Sequence, residues 1–342
     1  MRKAGPLLPS PILVAPMAGG VSTPALVTAV ARGGGLGFLA AGYKPVAAIQ
    51  SEISEVRANG LAFGVNLFVP GPPTIDTVAL QAYRTSLGAM AARLGVALPE
   101  PTYDDDAWGA KIDFLLAEPV PFVSLTFGLP DREIIRALKE RGTVVIATVT
   151  RHSELLSAQD YGVDAAVLQH SAAGGHSAAF APDAPPGAPF TDVAALTSEL
   201  FPHSTIPLIA AGGLTGASDI NEALAAGAAA VQLGTLLVRT HESGAPQLHK
   251  DALASPTFQG TALTRAFSGR PARGLENQFM RDHRDAPAGY PELHHVTSPL
   301  RAAAATAGDP DAMALWAGTG YRAAPSMPAA ELVSQLVAGL DR

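Results

Sequence analysis

Short runs of apolar residues alternate along the chain with longer segments in which apolar residues recur at helical spacing. Because a strand that is covered on both faces is apolar throughout, we interpret the runs as strands of a buried parallel sheet. An alternation of such strands with helices is typical of an α/β protein. The eight predicted strands are Ile12–Ala15, Leu36–Leu39, Ala62–Asn66, Phe122–Leu125, Val144–Thr148, Ala165–Gln169, Leu208–Ala210 and Ala230–Leu233.

Helix signals separate several of these strands. Thr23 is a good N-cap residue and proline suits the first helical position, so a helix is predicted over Pro24–Arg32. Further helices are predicted over Asp131–Glu140 and Ala217–Ala226, and each of them stops close to a glycine. Since eight strands with intervening helices close a barrel, the predicted fold class is α/β, a (β/α)8 TIM barrel.

Two regions do not follow the alternation. We predict that 73–116 and 266–342 form an additional, mainly helical subdomain packed at the barrel mouth, and that 1–72 and 117–265 form the barrel. Helical patterns in the two extra regions lie at Val78–Leu94, Trp108–Leu116, Glu276–Arg284, Pro310–Ala317 and Ala329–Leu340.

Composition and charge narrow the class of protein. Hydrophobic residues make up 48% and charged residues 15% of the chain, which favours a large core over disorder. The net charge of −7 gives no basic surface for nucleic acid or an anionic membrane. Prolines at positions 9, 11 and 16 interrupt the apolar N-terminal stretch, so no signal helix or membrane span is expected there.

The absence of cysteine excludes disulfides, thiolate nucleophiles and cysteine-based metal centres. The histidines lack the spacing of metal ligands, so no metal site is predicted. A chain without cysteine fits a reducing compartment, and we expect a cytoplasmic protein. Its Ala-rich, lightly charged surface is compatible with a homodimer.

Candidate chemistry lies at the ends of the predicted strands, because the loops after the strands build the active site of a (β/α)8 barrel. Ala15, Pro16 and Met17 follow the first strand, where small residues let the backbone approach a flat ligand; an ordinary tight turn is the alternative. Asn66 ends the third strand, and its amide can donate and accept as the edge of a flavin requires. A loop-bracing asparagine is the alternative.

The last two predicted strands carry the strongest signal. The seventh ends in a segment with Gly212 and Gly213, and the eighth ends in Gln232, Leu233, Gly234 and Thr235. Glycine loops with exposed amides at these two strand ends form the usual phosphate site of a barrel. Chance glycines at helix boundaries do not account well for both loops together.

A glycine-containing loop follows the sixth strand. It runs from Gln169 through Gly174 and Gly175 to His176. A histidine at the barrel mouth suits a general base, and His170 is the competing candidate.

Later in the chain, Arg270 and Arg273 either face anionic groups or pair with Glu276, and the structural role is favoured. Trp316 either roofs the ligand or packs in the core.

In this order, these segments resemble the nitronate monooxygenase family, formerly called 2-nitropropane dioxygenase, and in particular its class I branch. The resemblance implies that FMN is the cofactor and that His176 is the catalytic base. The sequence departs from the family pattern in two places. His170-Ser171-Ala172 stands where many members have Gly-x-Glu, and Thr126 stands where some members have histidine. The implied cofactor-binding residues, with the neighbouring loop glycines, are Ala15, Pro16, Met17, Asn66, Gln169, Gly174, Gly175, Gly212, Gly213, Gln232, Leu233, Gly234 and Thr235.

The resemblance implies oxidation of alkyl nitronates, such as propionate-3-nitronate, by O2 to a carbonyl compound and nitrite. The expected partners are therefore a small nitronate or nitroalkane and O2. An FMN-dependent NAD(P)H reductase of the same barrel family, acting on quinones or enoyl-thioesters, is the first alternative. A non-catalytic flavin-binding protein is the second.

Overall fold

The computed structural model describes residues 7–181 and 190–341. Eight parallel strands close a barrel, which confirms the predicted fold class. Each predicted strand is present to within two residues at either end. The barrel strands are β1 (Ile12–Val14), β2 (Leu36–Ala40), β3 (Phe63–Phe68), β4 (Phe122–Thr126), β5 (Val144–Val149), β6 (Ala165–Gln169), β8 (Leu208–Ala211) and β9 (Ala230–Leu233). A two-residue strand, β7 (Gly175–His176), lies between β6 and β8 in the chain but outside the barrel.

Strand β1 closes the barrel, because Leu13 pairs with Leu36 of β2 on one side and with Gln232 of β9 on the other. Apolar side chains such as Phe38 and Ile146 are buried in the cluster inside it. Gly64 gives Phe38 its room, since a Cβ at Gly64 would lie 2.2 Å from the phenyl ring. The barrel is therefore a packed core, and a ligand has to bind at one of its ends.

Helices cover the outside of the barrel. Thr23 caps the first of them as predicted, because its hydroxyl accepts from the N–H of Leu26 at 3.0 Å. The helices that follow barrel strands are α1 (Pro24–Arg32), α2 (Val46–Arg57), α5 (Trp108–Ala117), α6 (Arg132–Glu140), α7 (His152–Asp160), α8 (Val193–Leu200), α9 (Ala217–Ala225) and α10 (Thr235–Val238). Helix α5 packs against α2 and α6, and α14 (Ala329–Ala338) packs against α1.

A second group of elements lies over the barrel mouth. It contains α3 (Thr77–Ser86), α4 (Gly88–Leu94), α11 (Gln247–Ala254), α12 (Gln278–Asp282) and α13 (Glu292–Ala307). An antiparallel sheet of β10 (Thr261–Thr264), β11 (Ala272–Leu275) and β7 belongs to the same group. Three short 3₁₀ turns, at Phe201–His203, Pro310–Ala312 and Tyr321–Ala323, complete the described elements. The division at 72, 116 and 265 stays a prediction, and its ends at 1–6 and 342 lie outside the described residues.

Some predicted elements of this region are wrong in detail. The helix predicted over Pro310–Ala317 is a 3₁₀ turn followed by extended chain, because Trp316 bridges to Gly274 of β11. The helix predicted over Val78–Leu94 is the pair α3 and α4, separated at Leu87. The antiparallel sheet was not predicted, and of α13 only the alanine run Ala302–Ala305 was interpreted as helix. Within the described residues, no helix combines the length and apolar character that a membrane span requires.

Candidate active site

One cavity of about 440 Å³ opens at the carboxyl ends of the barrel strands. Its wall includes every residue predicted for the site, from Ala15 after β1 to Thr235 after β9. The structure thus brings the predicted residues together, while their individual roles stay predictions. Side chains from α13 and the segment around Trp316 form the opposite wall.

Glycines allow the late part of the chain to lie directly on the loop after β6. A Cβ at Gly174 would be 2.5 Å from the backbone N of Gly318, and a Cβ at Gly318 would be 2.7 Å from the carbonyl O of Ala172. The two segments are also joined by a hydrogen bond of 3.0 Å from the N–H of Thr319 to the carbonyl of Ala172. Larger residues at either glycine would push the two walls of the cavity apart.

Two of the three amide side chains predicted to bind the cofactor, Asn66 and Gln169, are already hydrogen-bonded within the protein. The Nδ2 of Asn66 donates to the Oγ of Ser124 at 3.0 Å and to the Oγ1 of Thr126 at 2.9 Å. Gln169 donates from Nε2 to the carbonyl of His176 at 3.0 Å and accepts on Oε1 from the N–H of Ala178 at 2.8 Å. Asn66 therefore braces β3 against β4, and Gln169 fixes the position of the segment that carries His176.

His176 lies at the centre of the cavity wall. Strand β7 pairs with β11, so that His176 faces Ala272, and the Nε2 of its ring lies 2.8 Å from the Oγ of Ser268. Burial within the protein, followed by the positive charges of Arg270 and Arg301, lowers the pKa of His176 to about 3. The imidazole is therefore neutral at physiological pH, which is the form that can accept a proton.

Aromatic rings surround His176 on the side that faces the cavity. The ring centroids of Trp316, Tyr290 and Phe127 lie 5.5, 5.7 and 5.9 Å from that of the imidazole. Trp316 also packs edge-to-face against Phe267, which confirms the packing role considered for it, while its role as a roof over the ligand stays a prediction. The rings shield part of the imidazole from water, which agrees with burial being the largest cause of its lowered pKa.

The competing histidine, His170, points elsewhere. Its Nε2 lies 3.0 Å from the carbonyl O of Phe190, and its Nδ1 accepts from the N–H of Ala172 at 3.2 Å. Both ring nitrogens are thus used to hold the loop after β6. The geometry leaves His176 as the histidine that meets the cavity.

Arg270 and Arg273 have structural roles, but their predicted partner is wrong. Arg270 is buried, donates to the carbonyl groups of Ser177 and Ala179, and lies 3.9 Å above the centroid of the Phe127 ring. Arg273 donates to the carbonyl of Ser171 at 2.7 Å. Among the described residues neither has an ion pair with Glu276. Each arginine instead ties the loop around His176 to β11 or to the segment just before it.

Tyr43, His294 and Arg301 are among the cavity residues that were missed, and Tyr290 lies next to them. The hydroxyls of Tyr43 and Tyr290 are 2.9 Å apart, and the ring of Tyr43 stacks on that of His294 at 3.9 Å. Tyr290 directly precedes Pro291, the N-cap of α13, and His294 and Arg301 lie on the helix, four and eleven positions after Tyr290. This spacing puts the three on one helix face, a signal that the sequence would have given had α13 been predicted.

A buried ion pair holds Tyr43 in place. Asp106 accepts from the N–H of Tyr43 at 3.0 Å and pairs with Lys111 at 2.7 Å, and Lys111 also donates to the carbonyl of Ala41 at 3.0 Å. Tyr43 has a φ of 65°, which is unusual for a residue with a large side chain. The ion pair between Asp106 and Lys111 thus fixes a strained turn at Tyr43, on the edge of the cavity.

We expect Lys111→Met to lower the free energy of unfolding by about 2–3 kcal/mol, because Asp106 would keep its partly buried charge without its partner. Lys139→Met is the matched control, since the pair of Lys139 with Asp164 is more exposed. The control substitution should lower the free energy of unfolding by less than about 1 kcal/mol. Urea denaturation followed by circular dichroism measures both; equal losses in the two variants would contradict the assigned role.

The parts of the chain that the structure describes contain no group of three or more His, Asp or Glu side chains suited to a metal ion. The groups at the cavity that can bind a ligand or move a proton are the histidine, the arginines, the tyrosines and the backbone of the glycine loops.

Comparison with known proteins gives a consistent result. Residues 3–339 match the family model described as nitronate monooxygenase. A probable nitronate monooxygenase of Staphylococcus saprophyticus is 33% identical over 338 residues, which cover 96% of this chain and 93% of that protein.

Two solved structures are similar. Nitroalkane oxidase from Streptomyces ansochromogenes superimposes with a TM-score of 0.93 and 46% identity, covering 98% of this chain and 96% of that one. FabK from Thermotoga maritima has a TM-score of 0.73 and 26% identity, covering 97% and 93%. With a family match over nearly its whole length, a closed (β/α)8 barrel and a histidine-lined cavity at the strand ends, this chain belongs to the nitronate monooxygenase family of oxidoreductases.

Proposed function

We propose that this protein binds FMN and oxidises alkyl nitronates with O2 to a carbonyl compound and nitrite. The observation that carries the proposal is that one cavity joins the glycine loops after β8 and β9 to the neutral ring of His176. The names of the relatives, nitronate monooxygenase and nitroalkane oxidase, support a nitro compound as the substrate.

The residues present fit a flavin mononucleotide. Gly212 and Gly213 have φ angles of 112° and 80°, in the left-handed region that favours glycine. A Cβ at Gly234 would meet only the Cβ of Ala15 at 3.6 Å and the Sδ of Met17 at 4.0 Å, so this backbone is open toward the cavity. Backbone exposed in this way at the last strands of a barrel suits a phosphate group.

Thr235 is prepared to act as a donor to such a phosphate. Its Oγ1 accepts from the N–H of Gly318 at 2.9 Å, so the hydroxyl proton remains available. The cavity volume of about 440 Å³ also lies in the range that holds a cofactor-sized ligand. When bound there, FMN would supply the electron-transfer chemistry, which no side chain of the site can provide.

His176 would act on the α-proton of a neutral nitroalkane. The hydroxyl of Ser268 lies 3.3 Å from the carbonyl of Arg270, to which it can donate, while the Nε2–H of His176 donates to the same hydroxyl. This arrangement puts the ring proton on Nε2 and leaves the Nδ1 lone pair as the base. With a substrate that arrives as the nitronate anion, no proton has to be removed, and the surrounding rings serve to position the substrate and exclude water.

The pH dependence follows from the lowered pKa of His176. Because that pKa is about 3, the base stays unprotonated well below neutral pH. We therefore expect kcat/KM for a neutral nitroalkane to be flat between about pH 5 and pH 7, with no acidic limb near the ordinary imidazole value of about 6.5. Initial rates across this range measure it, and a limb at pH 6–7 would show that His176 titrates normally or is not the base.

The decisive experiment is oxygen uptake by the purified, FMN-loaded protein. Propionate-3-nitronate should drive O2 consumption and nitrite release without NADH or NADPH. Rapid bleaching of the flavin by NADH or NADPH, with no oxygen uptake on the nitronate, would support the reductase instead. A protein that is colourless and cannot be reconstituted with FMN would remove both possibilities.

A further inference from the structure

Arg301 places a cation in the cavity wall, where no acid of the described residues pairs with it. It extends from α13 and lines the cavity. One of its NH2 groups donates to the carbonyl of His294 at 3.0 Å and lies 3.3 Å from Nδ1 of the same residue. The Nε is buried and has no hydrogen-bond partner among the described residues. In those parts of the chain Arg301 also has no ion pair.

The absence of a carboxylate is unusual for such a group. Burial lowers the pKa of Arg301, yet a guanidinium stays protonated in proteins. The titratable groups whose charges affect it are Tyr43 and Tyr290, and its own charge depresses the pKa values of His176 and His294. None of these is an acid at neutral pH. A partly buried cation whose Nε–H has no acceptor is costly, and an anionic ligand would lower that cost.

Arg301 lies on the side of the cavity that contains His176. Its hydrogen-bond partner His294 stacks on Tyr43, and its field reaches His176 itself. The proposed phosphate loops, with Gly213 and Gly234, instead lie after β8 and β9. An anion at Arg301 is therefore an anion of the substrate and not the phosphate of the cofactor.

We propose that Arg301 is the anion-binding residue of the substrate space, where the cavity-facing edge of its guanidinium receives a planar oxyanion carried by the substrate. This inference rests on the proposed function for the identity of the substrate. Two groups share the required chemistry: the nitronate itself and a carboxylate at the far end of the molecule. A guanidinium fork matches either of them, since both offer two oxygens in one plane.

Binding of ligands that cannot be oxidised tests the proposal without turnover. Nitrate stands for the nitronate head, propionate for a carboxylate, and propionamide is the neutral match of propionate. Isothermal titration calorimetry on the FMN-loaded protein gives Kd for wild type, Arg301→Met and Arg301→Lys. We expect Arg301→Met to raise the Kd of nitrate or propionate by about tenfold to a hundredfold. The Kd of propionamide should rise by less than about threefold. Arg301→Lys should recover part of the affinity, because it keeps the charge but loses the planar fork.

Arg93→Met is the matched control, because Arg93 is an exposed arginine of the same subdomain, paired with Asp309. It should leave all three Kd values within about twofold. Thermal melting of each variant shows whether it is folded. If Arg301→Met binds nitrate, propionate and propionamide as the wild type does, or loses all three equally, the proposal is overturned.

A kinetic comparison separates the two sources of the oxyanion. If Arg301 binds the carboxylate, Arg301→Met should raise KM for propionate-3-nitronate and leave KM for propyl-1-nitronate unchanged. If it binds the nitronate, both KM values should rise by the same factor. Lack of oxygen uptake with either substrate would contradict the proposed function, whereas the calorimetric result would still decide the role of Arg301.

Discussion

Replacing His176 with asparagine is expected to lower kcat/KM for a neutral nitroalkane by about 10²–10⁴-fold, which is the usual contribution of a positioned general base. Asparagine is similar in size and can still hydrogen-bond to Ser268, but it cannot take a proton. The position of the histidine in the cavity wall, between Trp316, Tyr290 and Phe127, is the reason for expecting so large an effect.

Two comparisons make this expectation specific. The preformed nitronate of the same compound needs no deprotonation, so its kcat/KM should fall by less than about tenfold in the His176→Asn variant. His170→Asn is the matched control, because His170 hydrogen-bonds to Phe190 and Ala172 outside the cavity. It should keep most of the turnover of the neutral substrate. Equal turnover of the neutral nitroalkane by wild type and His176→Asn would show that His176 is not the base.

The second large effect is expected at Gly234. A side chain there points into the proposed phosphate space and meets only Ala15 and Met17 of the protein. Gly234→Asp would put a negative charge beside the phosphate. A repulsion of a few kcal/mol across a partly buried contact should raise the Kd for FMN by about a hundredfold. Fluorescence titration of the flavin-free protein with FMN measures the Kd.

Gly234→Asn and Gly234→Ala separate charge from volume. Asparagine has the size of aspartate without its charge, and alanine adds one methyl group that the surroundings can accept. We expect the affinity for FMN to decrease in the order alanine, asparagine, aspartate, with melting temperatures of the flavin-free proteins close to that of the wild type. Similar FMN affinities for the aspartate and asparagine variants would place the phosphate elsewhere.

The barrel was open to prediction from the sequence because its signals are local. Each strand is an apolar run of three to five residues in the prediction, and each run is found in the structure. The carboxyl ends of parallel strands meet at one end of a barrel, so residues as distant as Asn66 and Gln232 could be placed in one site before any contact was known.

The region over the barrel mouth was harder to predict for equally physical reasons. Helix α13 contains Pro299 and begins after Pro291, and prolines inside a segment argue against a helix. Strand β7 has only two residues and exists because β11 pairs with it. The prolines obscure the start of the helix, the two-residue strand cannot be recognised from neighbouring residues, and both elements carry parts of the cavity wall.

Gln169 shows the difference within a single residue. Its place at the end of β6 was predicted, and that prediction is confirmed, since the strand ends there. The use of both ends of its amide to hold His176 and Ala178 was not predicted, because those hydrogen bonds depend on the path of the loop. Whether it also contacts FMN stays a prediction.

The sequence by itself thus determined the barrel, the end of the barrel at which chemistry occurs, and the set of strand-end residues that meet there. Only the tertiary structure decided that His176 and not His170 faces the cavity, that its pKa is lowered, and that Arg301 adds a cation to the cavity wall. The physical reason is the separation along the chain of the residues that interact. Strand and helix patterns arise from residues close together in the chain, whereas desolvation, charge and hydrogen bonding at the site arise from segments that folding alone brings into contact.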